Sequence, residues 1–360
     1  MVYEHLATLG GALVRRATDL DNNGGGSDND DMAQLPGWAV LVFFANFLVF
    51  APVFLYIGYT LSHVYPTLAI IEDPQPPSYA ALSLNADEPT ADGTHAADES
   101  SALTTTSFRR INRLLYSTAG WTSNFRGLGC AVALNFAALF CGSIFSFVLP
   151  ASLGVLFAAL ATVQLSAAWT HIIISAPSSQ HFWQRLPPFA KTFQATWLPV
   201  CAYWAAIQVT RLLPRLLSHA FGLSRWDPRN PTAVPNYSAH AVWQGFVVLV
   251  VSVACTILLV IPAQVVLCRV QASLLPPDED TIVPFDRSFG GVVEPAVVTG
   301  KGYVDFLTAW RTFERASWIR LYRLLAKIML VALAVYAVVM VIVVPEAILM
   351  LKTAQPADGN

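Results

Sequence analysis

Charge is scarce in this chain. Asp, Glu, Lys and Arg make up 12% of its 360 residues, about half the share of an ordinary soluble domain. Hydrophobic residues reach 55%, and the mean hydropathy is +0.53. The deficit of charge is the more telling half, because an apolar excess alone fits a large core. No basic cluster of the density that phosphate-backbone binding demands is present, and a net charge of −2 gives a nucleic-acid partner no footing. The five cysteines, Cys130, Cys141, Cys201, Cys255 and Cys268, form no CxxC pair and no Cys/His spacing of a zinc site. Their odd number and their place in or beside apolar runs argue against a secreted disulfide scaffold. They read as small apolar side chains among helices. Signatures of chemistry are missing too: no GxxxxGKS/T or GxGxxG loop, no HExxH, no HxxxxD and no GxSxG. These absences point to a non-enzymatic chain with no cofactor and no metal.

Long uncharged runs stand in their place. From Gly127 to Gln184 there are 58 residues without Asp, Glu, Lys or Arg, about what two membrane-crossing helices and a turn require. Pro150 sits near the middle, where a helix has to stop. The sequence predicts an all-α polytopic membrane protein, a bundle of about six transmembrane helices with disordered loops and interfacial amphipathic helices. Residues 1–35 are an acidic tail. Its segment Leu6 to Val14 lacks a basic flank and contains Gly10 and Gly11, unlike a signal peptide. Residues 36–66 form the first span, with Pro52 as a potential kink. Residues 67–126 form a loop whose Ala/Asp/Glu/Ser/Thr-rich middle is too polar to fold alone. The loop ends in a basic segment, Ser107 to Arg126, with Arg109, Arg110, Arg113 and Arg126 beside Leu114, Leu115, Tyr116 and Trp121, suited to a short helix lying on headgroups. The hairpin occupies residues 127–175. A fourth span, interrupted by Pro199 and marginal, covers 190–210, and a loop covers 211–240, with Leu212 to Phe221 as a candidate half-helix, so that five or seven crossings stay open beside six. The fifth span covers 241–268. A long loop, 269–327, contains an amphipathic helix with Phe306, Trp310, Phe313, Ser317 and Leu324 on one arc. The sixth span covers 328–351, and 352–360 is a tail.

With six crossings, the loops after the first, third and fifth helices hold 14 of the 21 Lys and Arg residues. The positive-inside tendency then places those loops in the cytosol, with both termini lumenal or extracellular. Asn236-Tyr237-Ser238, the one sequon without an intervening proline, falls on the lumenal side as a glycosylation candidate. The membrane is that of the endomembrane system or the cell surface.

The clearest short motif is Pro76-Pro77-Ser78-Tyr79. Two prolines favour polyproline II, which loses little entropy on docking to an aromatic groove. Tyr79, three positions after Pro76, returns to the same side of that three-fold helix. The four residues resemble the ligand of WW domains, including those of membrane-acting ubiquitin ligases, and the resemblance implies a WW-domain partner bound through Pro76, Pro77 and Tyr79.

Polar residues at membrane depth are the other candidates, because unsatisfied groups in hydrocarbon are costly. Asn46, Asn135, Gln164, His171, Gln208 and Gln264 are read as interhelical contacts. Gln244 and Glu346 lie nearer the ends of their runs. Three functions compete on this footing. The leading one is a membrane adaptor recruiting a WW-domain ubiquitin ligase. A small-solute transporter or channel is the alternative. A lipid-modifying enzyme using His171 or the Asp278 to Gly291 region comes last, since no nucleophile–base constellation can be assembled.

Overall fold

A computed structural model of the chain describes residues 38–73, 103–223, 239–293 and 302–353. Among these residues the secondary structure is helical, with no strands. Helix α1 spans Trp38–Ile71, α2 Phe108–Ala119 and α3 Leu128–Ser146. Helices α4, Ala151–Ala161, and α5, Val163–Ile174, meet at a 60° bend. Helix α6 is Phe189–Ala220 and α7 His240–Ser273. A short α8, Phe306–Arg311, precedes the 39-residue α9, Arg315–Thr353.

Four helical stretches are long and apolar enough to cross a bilayer: α1, α3 with the turn before it, α7 and α9. The bent α4–α5 pair makes five if it is one span. The expected count of six is not reached on that measure. Helix α6 is 32 residues long, but Lys191, Arg211 and Arg215 dilute its apolar character. It also continues to Ala220, ten residues past the expected boundary at 210, through what was read as loop. The expected amphipathic helix before the sixth span is interrupted at residues 312–314, and its second half merges into α9.

Burial divides the molecule into two parts. In the most apolar windows of α1, α7 and α9, 0%, 6% and 6% of residues are buried. Phe43, Phe44, Phe47 and Leu48 on α1 and Val341 and Ile348 on α9 are exposed. A water-facing surface this apolar far exceeds what soluble monomers show, so these shafts face lipid. The core lies at the other end of the same helices. Tyr65, Leu68 and Ile71 of α1 pack there with Ile111 and Leu115 of α2, Ile173 and Ile174 of α5, Val265 of α7 and Leu321 and Leu324 of α9. Helix α2 was expected to lie on headgroups. Instead Ile111 and Leu115 are fully buried against protein, while Arg109, Arg110 and Arg113 stay exposed.

Prolines mark the change from shaft to core in two helices. A proline has no N–H and its ring crowds the carbonyl four residues back, so the turn before it widens to π geometry. Ahead of Pro66 the Tyr65 N–H donates to Thr60 O, and ahead of Pro262 the Ile261 N–H donates to Thr256 O. Both sites carry the pattern Thr-x-x-x-Val-x-Pro. Beyond each proline the helix is largely buried.

Helices α1 and α9 are antiparallel neighbours. Glu72 and Arg320 pair at the packed end, the Phe54 and Tyr336 rings meet at 5.6 Å, and Asn46 Nδ2 donates to Glu346 Oε2 at 2.5 Å. Twenty-six residues separate the two polar contacts on either helix, about 39 Å of helix at 1.5 Å per residue. That exceeds the ~30 Å of a hydrocarbon core, so the two contacts cannot both lie within it.

Candidate functional site

The polar residues read from the sequence scatter rather than converge. Asn46 reaches Glu346. Asn135 donates to Ala131 O within its own helix at 2.7 Å, and Gln164 donates to Pro187 O at 2.6 Å. His171 is buried, its Nε2 2.8 Å from Gln271 O. Gln244 lies 3.2 Å from His240 Nε2. Gln208 and Gln264 are half-buried and make no hydrogen bond to a described residue. The cysteines are all free, with Cys130, Cys255 and Cys268 buried. Pro76, Pro77, Tyr79 and Asn236 lie outside the described residues.

Groups that the sequence left unremarked hold the packed end together. Gln271 ties α7 to α5: Thr170 Oγ1 donates to its Oε1 at 2.7 Å, and its Nε2 donates to Ser166 Oγ at 2.8 Å. Glu72, which follows α1, is 2% exposed. Its carboxylate accepts from Thr104 N at 2.7 Å, from Thr105 N at 3.1 Å and from both threonine hydroxyls. Arg320 Nη1 of α9 stands 3.3 Å away, and Arg320 Nη2 donates to Ala69 O and Glu72 O. One carboxylate thus joins the exit of α1, the approach to α2 and the start of α9.

On α7, Arg269 is buried and donates to Thr312 Oγ1 at 2.9 Å. Its guanidinium lies 4.8 Å from the Phe289 ring centre and 5.2 Å from that of Phe313, the geometry of a cation–π contact. Phe289 has φ +52°, a left-handed conformation that costs a residue with a Cβ about 1–2 kcal/mol. It is held by burial of the ring and by Asp286, whose carboxylate accepts from Ser288 N at 2.8 Å, Ser288 Oγ at 2.6 Å and Gly290 N at 2.6 Å. Burial by itself would raise the Asp286 pKa. The Ser288 hydroxyl, the Gly290 and Ser288 N–H groups and Arg269 outweigh it and lower the value below the usual 3.8.

A second polar cluster forms where the uncharged run begins and ends. Arg126 and Arg185 are the first charged residues on either side of Gly127–Gln184, and both line one groove of about 280 Å³. Arg126 crosses the carboxyl end of α5, donating to Ile172 O at 3.2–3.3 Å and to Ser175 O, where a cation suits the helix dipole. Arg185 donates to Ser175 Oγ at 2.6 Å and pairs with Glu279. The Glu279 loop is set by the Ser175–Thr281 bridge and by Arg287, which donates to Pro276 O and Glu279 O. The sequence carried a signal for this site, since the charges bounding an apolar run belong at one membrane face. The fold thus offers a clamp at Glu72 and an arginine groove, with no group of three potential metal ligands among the described residues. No family model, curated protein or solved structure matches this chain, so its function is read from these residues alone.

Proposed function

We propose that the chain is a multi-pass membrane adaptor that holds Pro76, Pro77 and Tyr79 beside the bilayer for a WW-domain protein such as a membrane-acting ubiquitin ligase. The observation that carries this reading is the Glu72 clamp. Its carboxylate binds Thr104 and Thr105, and the Asp73 N–H donates to Pro284 O at 2.9 Å, so both ends of the intervening segment are anchored at one point. Pro76 follows Glu72 by four residues and Tyr79 by seven, which at no more than about 3.6 Å each keeps the motif within ~25 Å of the anchor. A ligand tethered so near the membrane meets a membrane-bound partner at raised effective concentration.

The orientation belongs to the same proposal. Taking α6 as the sixth crossing, the three loops that together hold 14 of the 21 Lys and Arg residues gather at the packed end, and the positive-inside tendency favours that end in the cytosol. Both termini and Asn236 then lie on the lumenal or extracellular side. The polar side chains at membrane depth favour a scaffold over a solute pathway, since Asn135, Gln164 and His171 are engaged with backbone carbonyls. His171 in that role leaves the lipid-modifying alternative to rest on the Asp278 to Gly291 region.

The test is capture of the full-length protein in detergent on immobilised WW domains. Tyr79→Ala should lower recovery about tenfold or more, the loss typical of an aromatic anchor. Equal recovery with and without the tyrosine removes the adaptor reading.

A further inference from the structure

The arginine groove has no part in presenting Pro76–Tyr79. Several of the residues that line it carry buried polar atoms without a partner. The Arg185 side chain is 6% exposed, yet its Nε has no hydrogen-bond acceptor. Ser123, 2% exposed, has an unpartnered hydroxyl, and so does Nη1 of Arg126. Buried donors of this kind are ordinarily satisfied. Three unpaired donors on residues lining one groove would gain an acceptor from outside the chain by turning toward it.

The backbone adds to this. Gly127, with φ +71°, is the N-cap of the 19-residue α3, and Gly127, Gly129 and Cys130 line the groove. The first N–H groups of a helix have no partner within it, and the dipole there favours an anion. Two guanidinium groups, a hydroxyl and a helix N-terminus together suit the oxygens of a phosphate. Glu279 offsets the charge of Arg185 in part, leaving Arg126 as the uncompensated cation beside the groove. Trp121, 68% exposed, and Trp183, 56% exposed, flank these residues in the chain, and exposed tryptophans gather at headgroup depth.

We infer that the groove of Arg126, Arg185, Ser123 and the α3 N-terminus binds a phosphate group, presented as the monoester headgroup of a phospholipid or as free phosphate. Gly129 allows a clean test. It is exposed and nothing lies within 4 Å of a Cβ placed there. Gly129→Asp puts a carboxylate into the groove while sitting in the first helical turn, where an acidic residue favours the helix.

Full-length protein in uncharged detergent is titrated with dioctanoyl phosphatidic acid, with dioctanoylglycerol, and with inorganic phosphate against chloride of equal ionic strength. The readout is thermal unfolding followed by tryptophan fluorescence. Phosphatidic acid should raise Tm and dioctanoylglycerol should not. Gly129→Asp should keep the ligand-free Tm and weaken the response about tenfold or more through like-charge repulsion, while Gly129→Ala retains it. A response to phosphatidic acid alone identifies the lipid as the source, and an equal response to inorganic phosphate identifies the free anion. No phosphate-dependent shift in the unaltered protein, or a full shift in Gly129→Asp, overturns the inference.

Discussion

Replacing Glu72 by alanine probes the contact on which the packed end closes. The substitution leaves Arg320, 7% exposed, with Asp73 as its remaining nearby negative charge, and removing one partner of a buried ion pair typically costs about 3–5 kcal/mol. Arg320 keeps its bonds to Ala69 O at 3.3 Å and to the backbone of residue 72 at 2.6 Å, which argues for the lower part of that range. The N–H groups of Thr104 and Thr105 also lose their acceptor, about 1–3 kcal/mol each if they stay buried. They need not stay buried. Once the carboxylate is gone, the segment before α2 can swing into water, so these terms replace one another rather than add. We expect local opening there to become easier by about 3 kcal/mol, or roughly 100-fold at 1.4 kcal/mol per decade.

Hydrogen–deuterium exchange of the full-length protein in detergent reads this directly. In Glu72→Ala, a peptide covering Thr104 to Arg110 should exchange roughly 100-fold faster, while α3 and α5 keep their protection. Glu72→Gln, with one acceptor oxygen where the native side chain has two, should fall between. Adding Arg320→Met to Glu72→Gln should recover much of the loss, since the unpaired buried charge disappears. Unchanged exchange at Thr104–Arg110 in Glu72→Ala would refute both the clamp and the anchoring on which the adaptor reading depends.

Two further outcomes follow from other contacts. Asp286 has a lowered pKa, so its contribution to stability is present above the ordinary value of 3.8 and is lost as pH falls through the lower folded value. Asp286→Asn should therefore lower Tm at pH 7, with the deficit shrinking in acid below pH 3.8; a deficit independent of pH contradicts the assignment. At the far end of the α1–α9 pair, Asn46→Leu removes the donor to Glu346, and a hydrogen bond to a charged group is worth about 1.5–3 kcal/mol. Unfolding in detergent should show a loss in that range, and Glu346→Gln, which retains an amide-to-amide bond, should lose less. Equal losses in the two variants would mean that the carboxylate contributes nothing as a charge.

The helices were legible in the sequence because hydrocarbon imposes a length and tolerates little charge. The long uncharged run, broken at Pro150, became α3, α4 and α5, with Pro150 as the N-cap of α4. The amphipathic face of α2 was equally legible, but not what it faces: Ile111 and Leu115 meet protein, and periodicity cannot tell a protein core from a lipid surface. The bend at Thr162, where φ is −102° and ψ 14°, had no proline or glycine to announce it. The paired π-helical turns were also hidden, because seven-residue patterns around Pro66 and Pro262 gain meaning only when both are seen to end an exposed shaft and begin a buried segment.

The site was least legible for a physical reason tied to the scarcity of charge. Where few ionisable residues exist, those bounding an apolar run naturally read as solvated loop. In this chain Glu72, Arg126, Arg185 and Arg269 bound or end such runs, Arg320 stands ahead of the last one with seven residues between, and each is instead held at the packed end by a hydrogen bond or ion pair. At that depth two needs coincide. The charges must stay near water to avoid the full desolvation cost, and the helix ends must find partners for carbonyl and N–H groups that no helix satisfies internally. Residues at the edge of the hydrocarbon meet both needs at once, which is why the boundary of an apolar run, rather than its interior, is where the polar architecture of this protein is concentrated.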